Sequence, residues 1–136
     1  MAWKGWLIEE SLEDDTILSR LRILESRLEE NDSGDHVVTW HLDTIEVGDK
    51  DIRKVSEELE GLLKLGYYAH FTDYMNLLII FRGKHFRIGL QKVLLEKEFG
   101  AVEFKADPKD LSIWKRALDY GTSKGRVDPR HIIKVL

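Results

Sequence analysis

The chain has 136 residues, of which 43% are apolar and 34% are charged, and its formal net charge is −4. It contains no cysteine, which excludes disulfides, thiolate chemistry and cysteine-ligated metal sites, and no apolar run approaches the ~20 residues of a membrane-spanning helix. This composition is typical of a soluble globular protein, for which we expect one domain over residues 1–136, a cytoplasmic location and no cofactor.

The first half of the chain predicts two strands and two helices. Residues 3–8 are mostly apolar and predict a first strand. Residues 14–30 predict an amphipathic helix, because their apolar residues recur at intervals of three and four. Residues 38–47 predict a second strand, with a phase shift that indicates a β-bulge near Asp43 and Thr44. Residues 50–64 predict a second helix, and at its Gly61 we expect close backbone packing.

The second half is built around an unbroken apolar run from Leu77 to Phe81, which predicts a central strand covered on both faces. With residues 67–72 before it and 86–88 after it, the run predicts a three-stranded antiparallel meander that turns at Gly83. Residues 90–99 predict a short helix and residues 102–104 an edge strand. Residues 109–121 predict the last helix, and the apolar residues from Ile132 to Leu136 predict a final turn or strand.

The order of these elements predicts an α+β fold. We expect a mixed, mainly antiparallel sheet with helices packed on it, in a ferredoxin-like sandwich or a relative of it.

Several short sequences carry a family resemblance. They are Gly5-Trp6, Ile8-Glu9-Glu10-Ser11, Trp40-His41-Leu42, Gly66-Tyr67-Tyr68-Ala69-His70-Phe71 and Trp114-Lys115. In combination they resemble a family of small uncharacterised prokaryotic proteins, over most of the chain. The resemblance implies no activity. Because the connection before the last helix is shorter in that family, it marks residues 89–106 as a candidate insertion.

Histidines on predicted strands are the candidates for chemistry. His41, His70 and His85 would share one sheet face if their strands were neighbours, and Glu9, Glu10 or Asp73 nearby would complete a histidine and carboxylate cluster. The catalytic candidates are therefore His41, His70, Asp73 and Glu10. The interpretation that we favour is half-buried packing, because no ligand spacing supports a metal site.

The supply of aromatic residues favours binding over catalysis. Tryptophan and tyrosine are enriched where an apolar body meets a polar partner, and no catalytic motif is present. We expect a non-catalytic binding or protein-interaction module, with a protein partner or a second copy as its ligand and a small molecule as the alternative. Its binding surface would be an aromatic and histidine face of the sheet: Trp6, Trp40, Tyr68, His70 and His85.

Two other functions remain open. One is a small hydrolase, with or without a metal, that uses a histidine and a carboxylate. The other is weak nucleic-acid binding by the basic hairpin at residues 82–87. Residues 66–136 carry a net charge of +5, but residues 1–65 carry −9 and the whole chain would repel a polyanion. We therefore expect the two halves to complement each other and nucleic acid to bind weakly or not at all.

Overall fold

The residues that the structure describes form an eight-stranded sheet with one α-helix on each face. The computed structural model describes residues 2–32, 37–95 and 103–136. The helices are α1 (Ile52–Leu62) and α2 (Leu111–Ser123), and short 3-10 helices lie at Glu9–Ser11, Thr16–Arg20, Pro108–Asp110 and Pro129–His131. The strands are β1 (Ala2–Ile8), β2 (Arg22–Asp32), β3 (Val37–Gly48), β4 (Ala69–Thr72), β5 (Asn76–Phe81), β6 (Lys84–Leu95), β7 (Glu103–Ala106) and β8 (Lys134–Val135).

The strands lie in the order β2-β3-β1-β4-β5-β6-β7-β8. Neighbouring strands are antiparallel except β7 and β8, which are parallel. The predicted α+β class with a mixed, mainly antiparallel sheet is therefore confirmed, and so is the meander of β4, β5 and β6. A ferredoxin-like arrangement is not confirmed.

Strand β5 separates two hydrophobic cores. Leu78 and Ile80 point to the face that α1 covers, and Leu77, Ile79 and Phe81 point to the face that α2 covers. We call these the α1 face and the α2 face. Side chains alternate along a strand, so a strand that is apolar at every position must be covered on both sides, as the sequence predicts.

Each helix buries the stripe that its apolar spacing defines. On α1, Ile52, Val55 and Leu59 are buried against the sheet, and on α2, Trp114 and Ala117 are buried. These spacings of three and four place the side chains on one side of a helix. Both predicted helices are confirmed: α1 is shorter than the predicted 50–64 by two residues at each end, and α2 has the predicted length but lies two residues later than 109–121.

The predicted helix at residues 14–30 is wrong. Residues 16–20 form a 3-10 helix, and the chain then enters β2, which pairs with β3 along its whole length. Of the apolar residues that predicted this helix, only the first ones reach the α1 core. Ile17 is buried there, whereas Leu24 and Leu28 are exposed. Pairing with β3 overrides the helical propensity of this segment.

Four smaller predictions also need correction. Apart from its own helix backbone and its chain neighbours, nothing lies within 4 Å of a Cβ added at Gly61, so the expected close packing is absent there. The expected bulge on β3 lies instead on β2, where the register shifts between Ile23 and Glu25. Residues 90–95 belong to β6 and not to a helix, and residues 96–99 of that prediction lie outside the described residues. Strand β7 is not at the edge, because β8 pairs with it and confirms the predicted final strand.

Candidate functional site

Strand β2 is the most exposed helix or strand that the structure describes. Strand β2 ends the sheet and pairs on one side only, with β3. Its exposed residues include three large apolar ones, of which Leu28 is 61% exposed, Leu24 45% and Ile23 38%. An edge strand with open backbone groups and exposed leucines is a template for pairing with another strand.

The far part of β2 and β3 forms a two-stranded ribbon. Strand β1 pairs with β3 from Leu42 to Gly48, whereas β2 pairs with β3 as far as Val37. Residues 28–32 and 37–41 therefore pair with each other beyond the end of β1. A two-stranded hairpin alone is marginally stable in water, so this ribbon gains most from a further strand.

Two pairs of polar residues hold the base of this ribbon. Both the backbone N–H and the Nδ1 of His41 lie within hydrogen-bond distance of the Glu10 carboxylate, at 2.6 and 2.9 Å. The hydroxyl of Ser26 donates to Oδ1 of the fully buried Asp43 at 2.5 Å. These contacts connect the end of β1 and strand β2 to β3.

The pKa values at the base of the ribbon are shifted. The hydrogen bond with Glu10 raises the pKa of His41. Burial acts to raise the pKa of Glu10, but the hydrogen bonds from His41 outweigh it and lower that pKa. Burial, and next the neighbouring Asp43 carboxylate, raise the pKa of Glu9. The structure thus brings together two of the predicted catalytic candidates, His41 and Glu10.

His70 is not part of that group. It lies on β4, and its ring stacks on Trp6 with centroids 5.0 Å apart and on Tyr68 at 6.1 Å. Trp6 is 4% exposed and His70 6%, while the Tyr68 hydroxyl donates to the carbonyl of His131. Burial raises the pKa of Tyr68 to about 12. Three of the predicted ligand-binding residues therefore form a stack inside the chain.

Trp40 and His85 lie apart from this stack. Trp40 is half-buried on the ribbon, in register with Glu29 of β2. His85 is paired with Ile80 in the sheet and its imidazole contacts the Glu60 carboxylate of α1. His85 thus lies on the α1 face and His70 on the α2 face, so the three strand histidines do not share one site.

Asp73 shapes a turn. Its Oδ1 accepts hydrogen bonds from the backbone N–H of Met75 and of Asn76, at 2.9 and 2.7 Å, between β4 and β5. An aspartate that accepts from the backbone two and three residues ahead stabilises such a turn. The geometry accounts for Asp73 without a catalytic role.

A cleft of about 480 Å³ lies between α1 and the start of β2. Arg20 contacts Glu58 at 2.7 Å, and Arg22 contacts Glu46 at 3.1 Å. Both arginines of the cleft are thus paired with carboxylates within the chain, which weakens its attraction for an anionic ligand. The cleft is lined by Ile17, Arg20, Leu21, Arg22, Glu46, Val47, Gly48, Asp51, Lys54, Val55 and Glu58.

The cations of the hairpin at residues 82–87 have contacts of their own. Arg82 contacts the Glu13 carboxylate, the ammonium of Lys84 lies 5.2 Å from the Phe86 ring centre, and the Arg87 guanidinium lies 5.2 Å from that of Trp3. Cations held over rings and carboxylates are less available to phosphate.

Within the described ranges, no three or more histidine, aspartate and glutamate side chains are grouped as a metal site requires. Across the same ranges, neither helix has the length and apolar composition that crossing a bilayer demands.

Sequence reasoning missed the edge of β2, because it assigned that segment to a helix. The available signal was the predicted strand at residues 38–47, which comes after a run of turn-forming residue types in the sequence from Asn31 to Asp35. A strand after such a loop favours a hairpin with the residues before it.

Comparison with protein-family models, with curated proteins and with solved structures gave no match. The family resemblance therefore stays a prediction.

Proposed function

We propose that the protein is a non-catalytic protein-interaction module and that its binding element is the outer edge of β2. The observation that carries this proposal is an eleven-residue strand, Arg22–Asp32, that ends the sheet with exposed leucines. Addition of a strand to an open sheet edge is a common mode of protein recognition, in which backbone hydrogen bonds supply affinity and side chains supply specificity.

The chemistry of the edge indicates the kind of partner. Leu24 and Leu28 offer apolar contacts, while Arg22, Glu25 and Arg27 offer charges of both signs. A strand that complements them carries apolar residues and charges of both signs. A uniform polyanion such as nucleic acid does not fit, because it would meet the acidic residues too.

The aromatic stack supports this choice of surface. The His70 ring stacks on both Trp6 and Tyr68, and Trp6 and His70 are buried, so these residues act first as packing groups. The β2 edge is therefore the better candidate for a binding surface than the aromatic and histidine face expected from the sequence.

A display selection of nine-residue peptides on the wild-type protein tests the proposal, and the affinity of each selected peptide for the Leu28→Lys variant is then measured. We expect extended peptides with alternating apolar residues, which shift the amide NMR signals of residues 22–32. The matched control is Leu65→Lys, which changes a comparably exposed leucine away from β2 and is expected to bind the peptides normally. Peptides whose signals map elsewhere, or that bind Leu28→Lys equally well, would contradict the proposal.

A small hydrolase is the second candidate, and the contact between His41 and Glu10 favours it. A carboxylate that holds Nδ1 of an imidazole orients the ring for general base catalysis. The test is turnover of a panel of esters, phosphoesters and peptides by the wild type, His41→Ala and Glu10→Gln, together with the metal content of the fresh protein. Turnover lost in both variants would support an enzyme, and no turnover with no stoichiometric metal would contradict it.

A further inference from the structure

We propose that the partner is a second copy of this chain, joined β2 to β2 in antiparallel register about a two-fold axis at Ser26. This inference rests on the proposed function, because it uses the same edge. In a symmetric antiparallel pair, residues equally distant from the axis lie opposite each other.

The sequence around Ser26 is complementary to itself in that arrangement. Leu24 lies opposite Leu28 of the second copy, and Glu25 lies opposite Arg27 of the second copy. The two-fold axis repeats both pairs, which gives two leucine contacts and two pairs of opposite charge. Opposite charges and apolar pairs stabilise facing positions of antiparallel strands, whereas like charges destabilise them.

Neighbouring registers lose this complementarity. An axis at Glu25 places two glutamates face to face, and an axis at Arg27 places two arginines face to face. An axis at Leu28 keeps a leucine contact and an Arg27–Glu29 pair, but it places Leu24 opposite Asp32. Among these registers, the axis at Ser26 alone matches both leucines with leucines and both charges with their opposites.

The structure leaves the required groups accessible. Leu24 and Leu28 are exposed, and so is Arg27, which contacts Glu29 of its own strand at 3.1 Å. Ser26 is small, and its hydroxyl is directed to Asp43, so no bulky group stands on the axis. The register shift between Ile23 and Glu25 leaves Leu24 without a facing residue on β3, and the regular pairing of β2 with β3 resumes at Glu25 and continues beyond Leu28.

Charge-reversed variants test the register. Glu25→Arg places two arginines opposite each other, and Arg27→Glu places two glutamates opposite each other, so each variant alone is expected to sediment as a monomer. An equimolar mixture of the two variants restores two opposite-charge pairs and is expected to form a heterodimer. Its dissociation constant is expected to equal that of the wild-type homodimer to within a factor of ~10. Analytical ultracentrifugation measures all three samples, and circular dichroism confirms that each variant is folded.

The matched control reverses one charge of an exposed ion pair on α1. Arg53 and Glu57 contact each other at 3.3 Å away from β2, so Arg53→Glu is expected to leave the wild-type dimer intact. High salt is expected to weaken the wild-type dimer and the mixed heterodimer alike.

The outcomes separate this inference from the proposed function. A wild-type protein that stays monomeric at all concentrations overturns the second copy as partner, and if selected peptides still shift the β2 amides, the proposed function stands. A dimer that is lost in Leu28→Lys but unaffected by both charge reversals overturns the register alone. A dimer that survives Leu28→Lys and both reversals overturns the use of β2 in self-association.

Discussion

The contact of His41 with Glu10 has a direct consequence for stability. The carboxylate accepts from the backbone of His41 and lies 2.9 Å from its imidazole, so the charged forms of both groups favour each other. Because Glu10 lies in the 3-10 helix Glu9–Ser11 that follows β1, this contact connects that helix to β3. Its strength must then depend on pH.

The sign of that dependence follows from the two pKa shifts. A raised histidine pKa stabilises the fold below its unfolded value of about 6.5, and this contribution is lost as pH rises through the folded pKa. A lowered glutamate pKa stabilises the fold above about 4.3, and this contribution is lost as pH falls through the folded pKa. We therefore expect His41→Gln to lower Tm most near about pH 5.5 and least at alkaline pH.

The control for this prediction is Glu10→Gln. NMR titration of the His41 ring in that variant is expected to return its pKa towards about 6.5, the ordinary value. If His41 titrates as in the wild type, the carboxylate is not the cause of the shift.

Glu9 is expected to destabilise the fold when it is ionised, in contrast to Glu10. Burial and the Asp43 carboxylate raise its pKa, so the folded chain holds this proton more tightly than the unfolded chain does. The ionised side chain therefore destabilises the fold at neutral pH, and Glu9→Gln is expected to raise Tm slightly at pH 7, with a gain that fades as pH falls and is lost below about pH 4. Asp14→Asn is the contrasting control. A hydrogen bond from Thr16 lowers the pKa of Asp14, so this change is expected to lower Tm at pH 7.

The individual elements show which parts of the fold the sequence can predict. The spacing that predicts α1 and α2 is reliable because Leu59 and Trp114 do enter a core. The same spacing fails in β2, where Leu24 and Leu28 match a helical stripe but stay exposed. Local pattern shows which residues are apolar, and strand pairing decides what they contact.

The candidate site was predictable only in part. His41 and Glu10 are singled out by their residue types, and the structure places them together. Their separation from His70 depends on strand order, because β1 lies between β3 and β4 and His70 points to the other face. Strand order is a long-range property that periodicity does not contain.

The glycines of the two helices allow a matched test of packing. Gly61 has open space around an added Cβ, so Gly61→Ala is expected to stabilise the protein by up to about 1 kcal/mol. A Cβ at Gly121 would lie 2.5 Å from the Phe81 ring, so Gly121→Ala is expected to destabilise the protein despite its better helix propensity. Urea denaturation measures both changes. Equal effects of the two substitutions would show that propensity, and not contact with β5, controls them.

At the scale of the whole molecule, the acidic and basic halves meet. Arg82 of the basic half contacts Glu13 of the acidic half, and His85 contacts Glu60. These contacts support the expectation that the two halves complement each other. Exposed ion pairs each contribute roughly 0–1 kcal/mol, so the hydrophobic cores supply most of the stability.

Strand β5 couples those cores, because its alternate side chains enter both of them. Loss of either core would remove β5 from the other, so the described residues are expected to unfold in one transition.

Leu59→Ala in the α1 core and Ile88→Ala in the α2 core are each expected to lower the free energy of unfolding by about 2–5 kcal/mol. Ile79→Asp is expected to prevent folding because it buries an unpaired carboxylate, whereas Ile79→Val is expected to cost only about 0.5–1.5 kcal/mol.

Fluorine NMR of fluorotryptophan-labelled protein measures this coupling, because Trp3 lies in the α1 core and Trp114 in the α2 core. In a urea titration the two folded signals are expected to vanish together in the wild type. Leu59→Ala and Ile88→Ala are expected to move both signals to the same lower midpoint. If Leu59→Ala shifts the Trp3 signal and leaves the Trp114 signal in place, the cores are independent. Strand β5 would then support each core separately instead of joining them.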